Sequence, residues 1–248
     1  MQIADRLYLL GGGDQAFGLS DPFDSHVYAI DGGASWALVD TGCGQATDDI
    51  IARAESHGLD PGRLATAFIT HEHLDHMGGS ADLHERLSVR IAASGATAAA
   101  LGAGDEHAIG LDWARSVGVY PSDYKLRPCP VDDILVDQSS VAVGDVEVVA
   151  IATPGHSPGH MCYLATVDGV RNLFTGDLLF FGGFVLPHMH WHTDMDAYAR
   201  SLERLRTLDV DGLLPGHLTI GLSRGQRHID AALERLDRGV LPRVLDLG

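Results

Sequence analysis

The chain reads as an α/β protein built on two mixed β-sheets with helices outside them. Short apolar runs of strand length recur in both halves of the chain. Between them lie segments of helical pattern that stop at glycine or proline. The order is strands, helix, strand, helices, strands, helix, strand, helix, which suits an α/β architecture with much antiparallel or mixed pairing in each half.

The elements follow in order. IADRLYLL, HVYAI and WALVD are predicted strands separated by Gly-Gly turns. ATDDIIARAESHG is a predicted helix ending at Gly58. ATAFIT is a short strand of the buried type, and VRIAAS is another. Residues 96–118 read as helical, before Pro121, Pro128 and Pro130 break the pattern. VEVVAIAT, MCYLAT and RNLFT supply strands in the second half. TDMDAYARSLERLRTL is a helix with Thr193 as its cap and Asp196 in the capping-box position. LLPGH is a short strand and loop, and SRGQRHIDAALERLD is a final amphipathic helix.

Composition narrows the function. The 248 residues carry a net charge of −17, and Lys125 is the only lysine. Such a chain repels nucleic acid and anionic membranes. No apolar run reaches the roughly 18 residues of a membrane span. The N-terminus lacks the basic start and cleavage site of a signal peptide, so a cytoplasmic location is expected. Cys43, Cys129 and Cys162 have irregular spacing, and an odd count suits buried thiols better than a disulfide framework. Fourteen histidines are the unusual count.

Three of them stand in HEHLDH, residues 71–76, directly after the strand ATAFIT. A solvated loop is the plain reading of such a stretch, and a metal site is the alternative. A zincin helix needs HExxH, but Asp75 stands where the second histidine is required. Residues two apart do not share a helix face, so His71 and His73 converge only from a strand end that curls into a loop. Three more strand ends offer donors in glycine-containing turns: His156 in TPGHSPGH, Asp177 in FTGD and His217 in LLPGH. Imidazole and carboxylate donors suit zinc.

The ordered set HxHxDH, TPGHSPGH, TGD and PGH, preceded by VDTG at Val39 to Gly42, resembles the metallo-β-lactamase superfamily of hydrolases. The resemblance spans residues 26–217 and implies a four-layer αββα sandwich, here a single domain over residues 1–248. It implies that His71, His73 and His156 hold one metal, that Asp75, His76 and His217 hold a second, and that Asp177 bridges them. The aspartate of VDTG is structural in that family. Two divalent ions are expected, zinc first and Mn2+ or Fe2+ as alternatives, sharing a hydroxide made available at neutral pH. Asp75 is then placed to pass a proton to the leaving group.

Departures from the family's branches narrow the resemblance. His73 stands where flavin-linked diiron members carry Glu. Asp177 points away from true β-lactamases, which generally lack the bridging Asp or place Cys there. The 31 residues after His217 are too few for the C-terminal helical domain of glyoxalase II. Phe180 stands where acyl-homoserine lactonases carry Tyr, so their carbonyl-polarising hydroxyl is expected to be missing. The tRNA-processing nucleases share all seven ligands but need basic RNA contacts. The expected activity is hydrolysis of a small carbonyl ester, a lactone or thioester. The alternatives are a persulfide dioxygenase with one iron, and a phosphodiesterase or nuclease. The partner is a small-molecule substrate or a second copy of the chain.

Several features have two readings. In FFGGFVLPHMHWH, His188, His190 and His192 alternate, and a pocket-lining loop with His190 or Trp191 on the substrate is favoured over a third metal site. Phe180 is taken as substrate-binding too. His160 reads as a buried, hydrogen-bonded histidine rather than a ligand. Cys43 reads as a small buried hydrophobe. Residues 14–24 and 102–130, the latter with Trp113, Tyr120 and Tyr124, are loops suited to specificity. Phe17, Phe23, Phe180 and Phe184 either wall the pocket or complete the core.

Overall fold

The computed structural model describes residues 1–187 and 193–245. Four strands open the chain as an antiparallel meander: β1 (Gln2–Ala4), β2 (Leu7–Gly11), β3 (Val27–Asp31) and β4 (Trp36–Val39). Helix α1 (Thr47–Ser56) crosses to β5 (Leu64–Phe68). Then α2 (Leu74–Met77) and α3 (Ser80–Leu87) cross to β6 (Arg90–Ser94), and α4 (Gly95–Ala103) and α5 (Leu111–Ser116) cross to β7 (Asp133–Leu135). Each crossover adds a parallel strand, giving seven strands in sequence order.

The second sheet starts with β8 (Ser140–Val143), β9 (Val146–Ala152), β10 (Met161–Val167) and β11 (Val170–Gly176), all antiparallel neighbours. After β12 (Phe184–Val185) and α6 (Met195–Arg204), β13 (Gly212–Pro215) adds parallel to β11. Helix α7 (Gln226–Asp237) and β14 (Arg243–Val244), which pairs with β12, close the described chain.

Three apolar clusters separate four layers. Strand residues alternate between faces. Leu7 and Leu9 of β2 therefore join Val148, Tyr163 and Phe174 between the sheets. Tyr8 and Leu10 face the other way and pack with Ile50, Leu83 and Leu101 from the helices over the first sheet. Ile151, Cys162 and Leu173 face Tyr198, Leu202, Ile229 and Leu233 of α6 and α7 over the second sheet. The architecture is the αββα sandwich.

Local differences from the sequence reading have physical causes. Residues 96–118 form two helices, because Gly104 and Gly110 take left-handed φ of 61° and 69° between them. The first predicted strand is two, split by a turn with Arg6 at φ 60°. Asp194, not Thr193, caps α6: its carboxylate accepts the Ala197 N–H at 3.0 Å. The short strands β7 and β8 lie in polar surroundings that conceal them.

Candidate metal centre

Strand direction brings the motifs together. Strands β4 and β5 are parallel, so Asp40 and the His71 loop leave the first sheet at one edge. Strands β9 and β11 both run antiparallel to β10, and β13 is parallel to β11. His156, Asp177 and His217 therefore leave the second sheet at one edge. The two edges are joined: Met161 N–H donates to Thr70 O at 2.7 Å, Tyr163 hydroxyl to Ile69 O at 2.7 Å, and His26 N–H to Gly216 O at 2.6 Å.

One cluster is made of imidazoles alone. His73 Nδ1 lies 2.9 Å from His71 Nε2 and 3.2 Å from His156 Nε2. Nitrogens about 2.05 Å from a tetrahedral ion sit about 3.3 Å apart, so the cluster has the size of a metal site. The far nitrogens of two rings fix their tautomers. His71 Nδ1 donates to Thr70 Oγ1 at 3.0 Å, because that hydroxyl already donates to Asp40. His156 Nδ1 donates to Leu186 O at 2.7 Å. Both Nε2 atoms then present lone pairs to the cluster. Burial, followed by the neighbouring His76, His73 and His156, pushes His71 well below the usual histidine range.

The second cluster mixes charge. His217 Nε2 lies 3.1 Å from Asp75 Oδ2, and His76 Nε2 lies 3.4 Å from the same oxygen. His76 Nδ1 donates to Asp40 Oδ2 at 2.7 Å. Burial would lower His76, but the carboxylates of Asp75, Asp40 and Asp177 outweigh it and hold the group well above the usual range. His217 is raised in the same way against its burial, by Asp177 and Asp75. Burial would raise Asp75 and Asp177, but the facing histidines hold both below the usual carboxylate range.

Asp177 stands between the clusters. Its Oδ2 is 3.8 Å from His156 Nε2 and 3.6 Å from His217 Nε2, and its Oδ1 is 3.5 Å from His76 Nε2. Asp177 Oδ1 and His76 Nε2 are buried with no hydrogen-bond partner among the described residues. Buried polar atoms are nearly always satisfied, so this pair fits atoms kept for a cation. His217 Nδ1 is also unsatisfied there. Gly216 makes the approach possible: a Cβ on it would lie 2.4 Å from Asp177 Oδ1 and 2.6 Å from the His76 ring.

All seven predicted donors thus meet at one place, in groups of a size that can hold metal ions. His160 is a neighbour instead: its Nδ1 pairs with Thr153 Oγ1 at 2.9 Å and its Nε2 accepts the Asp177 N–H at 3.2 Å. Cys43 is buried, with its thiol 3.3 Å from Asp21 Oδ1 and its amide donating to Asp24. Phe180 is 1% exposed and Phe17 45% exposed, while Phe23 packs on Tyr120 at 5.4 Å. His188, His190, Trp191 and His192 lie outside the described residues.

Sequence reasoning placed Tyr120 in a loop suited to specificity but gave it no position at the centre. Its ring comes from the 102–130 segment, and burial, followed by the Asp75 carboxylate, pushes its hydroxyl well above the usual tyrosine range. The only signal in the sequence was an aromatic in a long insertion.

Geometry and comparison agree on the class. The Metallo-beta-lactamase superfamily profile matches residues 20–217, and the chain belongs to that superfamily. It is 31% identical over 209 residues to hydroxyacylglutathione hydrolase of Acidiphilium cryptum, covering 84% of this chain and 70% of that one. It is 27% identical over 216 residues to the atrochrysone carboxyl ACP thioesterase of Aspergillus fumigatus, covering 86% of this chain but only 56% of that relative's length. The subclass B3 metallo-β-lactamase of Bradyrhizobium japonicum superposes with a TM-score of 0.70 at 21% identity, over 96% of this chain and 92% of that one, a likeness of fold. No helix among the described residues is long and apolar enough to cross a membrane.

Proposed function

We propose that the chain is a dinuclear metal-dependent hydrolase that opens a small carbonyl ester, a lactone or thioester. The observation that carries this reading is Asp177, one carboxylate set between two three-donor clusters. His71, His73 and His156 would hold one ion, and Asp75, His76 and His217 the other, with zinc suited to the donor set. The ions, when bound, supply an acidified water and a Lewis acid for the carbonyl oxygen.

The chain's own groups do the rest. Asp40 and Thr70 orient His76 and His71. Tyr120, whose hydroxyl is coupled to the Asp75 charge, would offer a donor to a carbonyl oxygen as it gains charge. Asp75 would pass a proton to the leaving group. The names of the relatives, an ACP thioesterase and a hydroxyacylglutathione hydrolase, support acyl-transfer chemistry. The net charge of −17 disfavours polyanionic substrates such as RNA.

A panel of an aryl ester, a lactone, a thioester and a phosphodiester, each with and without chelator, tests the reading. Chelator-sensitive turnover of the lactone or thioester is expected. Turnover of the phosphodiester alone would replace this reading with a phosphodiesterase.

A further inference from the structure

Glu72 is the one member of HEHLDH besides Leu74 that neither donor cluster uses. It is nevertheless 6% exposed. Its carboxylate accepts three hydrogen bonds: from Thr97 Oγ1 at 3.1 Å and Ser157 Oγ at 3.0 Å on Oε2, and from Gly159 N–H at 3.1 Å on Oε1. The partners are two hydroxyls and an amide rather than a basic side chain. A buried carboxylate held this way is costly to place and strongly directional once placed.

The partners' positions in the chain give the arrangement its meaning. Glu72 is bonded directly to both His71 and His73, and Ser157 directly follows His156. One carboxylate thus joins the immediate neighbours of all three histidines in the imidazole cluster. The Glu72 carboxylate turns to Thr97, Ser157 and Gly159 rather than to the histidine nitrogens, so it can clamp the loops from outside the cluster. Thr97 adds a third element, the first turn of α4, where Ser94 caps the helix by accepting the Thr97 N–H at 3.2 Å. Gly159 fits around this hub: a Cβ there would lie 2.6 Å from Glu72 Oε2, 2.6 Å from Thr97 Oγ1 and 2.7 Å from Ser94 Oγ.

We infer that Glu72 is a positioning residue for the three-histidine cluster, fixing the 71–73 and 154–160 loops in register so that a divalent cation meets all three nitrogens at once. The inference rests on the metal-centre reading above. It assigns to the second residue of the motif a role distinct from ligation and from proton transfer.

The test is a stepwise Co2+ titration of the full chain stripped of metal, followed by visible absorption, for wild type, Glu72→Ala and Glu72→Gln. The Gln side chain keeps an oxygen for the Gly159 N–H and presents an amide to hydroxyls that can rotate. Glu72→Ala is expected to weaken the cobalt ion of the histidine cluster about 10- to 100-fold. The ion of the other cluster should be much less affected, and Glu72→Gln should restore most of the loss. Ser157→Ala and Thr97→Val, which each remove one donor and spare the fold, should give smaller losses at the same ion. Equal cobalt affinity in wild type and Glu72→Ala overturns the inference alone. Equal weakening of both ions in Glu72→Ala also overturns it, because that is general loosening of the fold. A wild-type chain that binds no cobalt overturns it together with the metal-centre reading.

Discussion

The two donor clusters sit side by side yet are built on opposite electrostatics. In the cluster of His71, His73 and His156, two rings are locked as neutral lone-pair donors by Thr70 and Leu186, and burial lowers His71. In the cluster of Asp75, His76 and His217, buried carboxylates raise both histidines, so protons compete with a metal there. The first cluster is prepared for a cation, while at the second a cation meets that competition. The expected consequence is stepwise loading with the histidine cluster filled first.

The strongest way to break the comparison is to remove the carboxylate both clusters share. Asp177→Ala should lose the coupling between the ions and reduce turnover to background, read by metal content together with ester hydrolysis. Next in size is Tyr120→Phe, which keeps the ring against Phe23 but removes the hydroxyl coupled to the Asp75 charge. It should lower kcat about 10²-fold with metal content unchanged. Unchanged kcat would confine Tyr120 to packing.

Asp40→Ala sharpens the contrast from outside. Asp40 accepts from His76 Nδ1 and from Thr70, whose hydroxyl in turn serves His71. The second ion should weaken about 10- to 100-fold, and the histidine-cluster ion by less. A chelator competition assay on each variant separates the two.

The smallest effect is in pH. With no ion bound, His76 lies above its unfolded value of 6.5, so its contribution to stability is full below that pH and is lost as pH rises through the raised value. Asp75 and Asp177 lie below 3.8, so theirs is present above that pH and lost as pH falls through the lowered values. Chelated protein should therefore lose Tm as pH rises above about 6.5 toward the raised His76 value, and again as pH falls below about 4. Metal should flatten the alkaline decline, because it replaces the His76 proton.

Much of this centre was legible in the sequence, because each donor segment follows a strand end, three of them in glycine-containing turns. His71 after ATAFIT and His217 in PGH are of this kind. Less legible were groups whose role depends on contact between distant segments. Tyr120 meets the charge of Asp75 from the 102–130 segment, far along the chain from HEHLDH. Glu72 looks like a zincin remnant until Ser157 and Gly159 are placed against it. The cap of α6 went to Asp194 rather than Thr193, one residue along, because both residue types satisfy the same local rule.

The most direct measurement is metal content per chain, by elemental mass spectrometry, on protein purified without added metal. About two zinc or manganese ions per chain are predicted, one for each cluster with Asp177 between them. A single iron per chain would contradict the dinuclear hydrolase and direct the next assay to oxygen uptake with a persulfide.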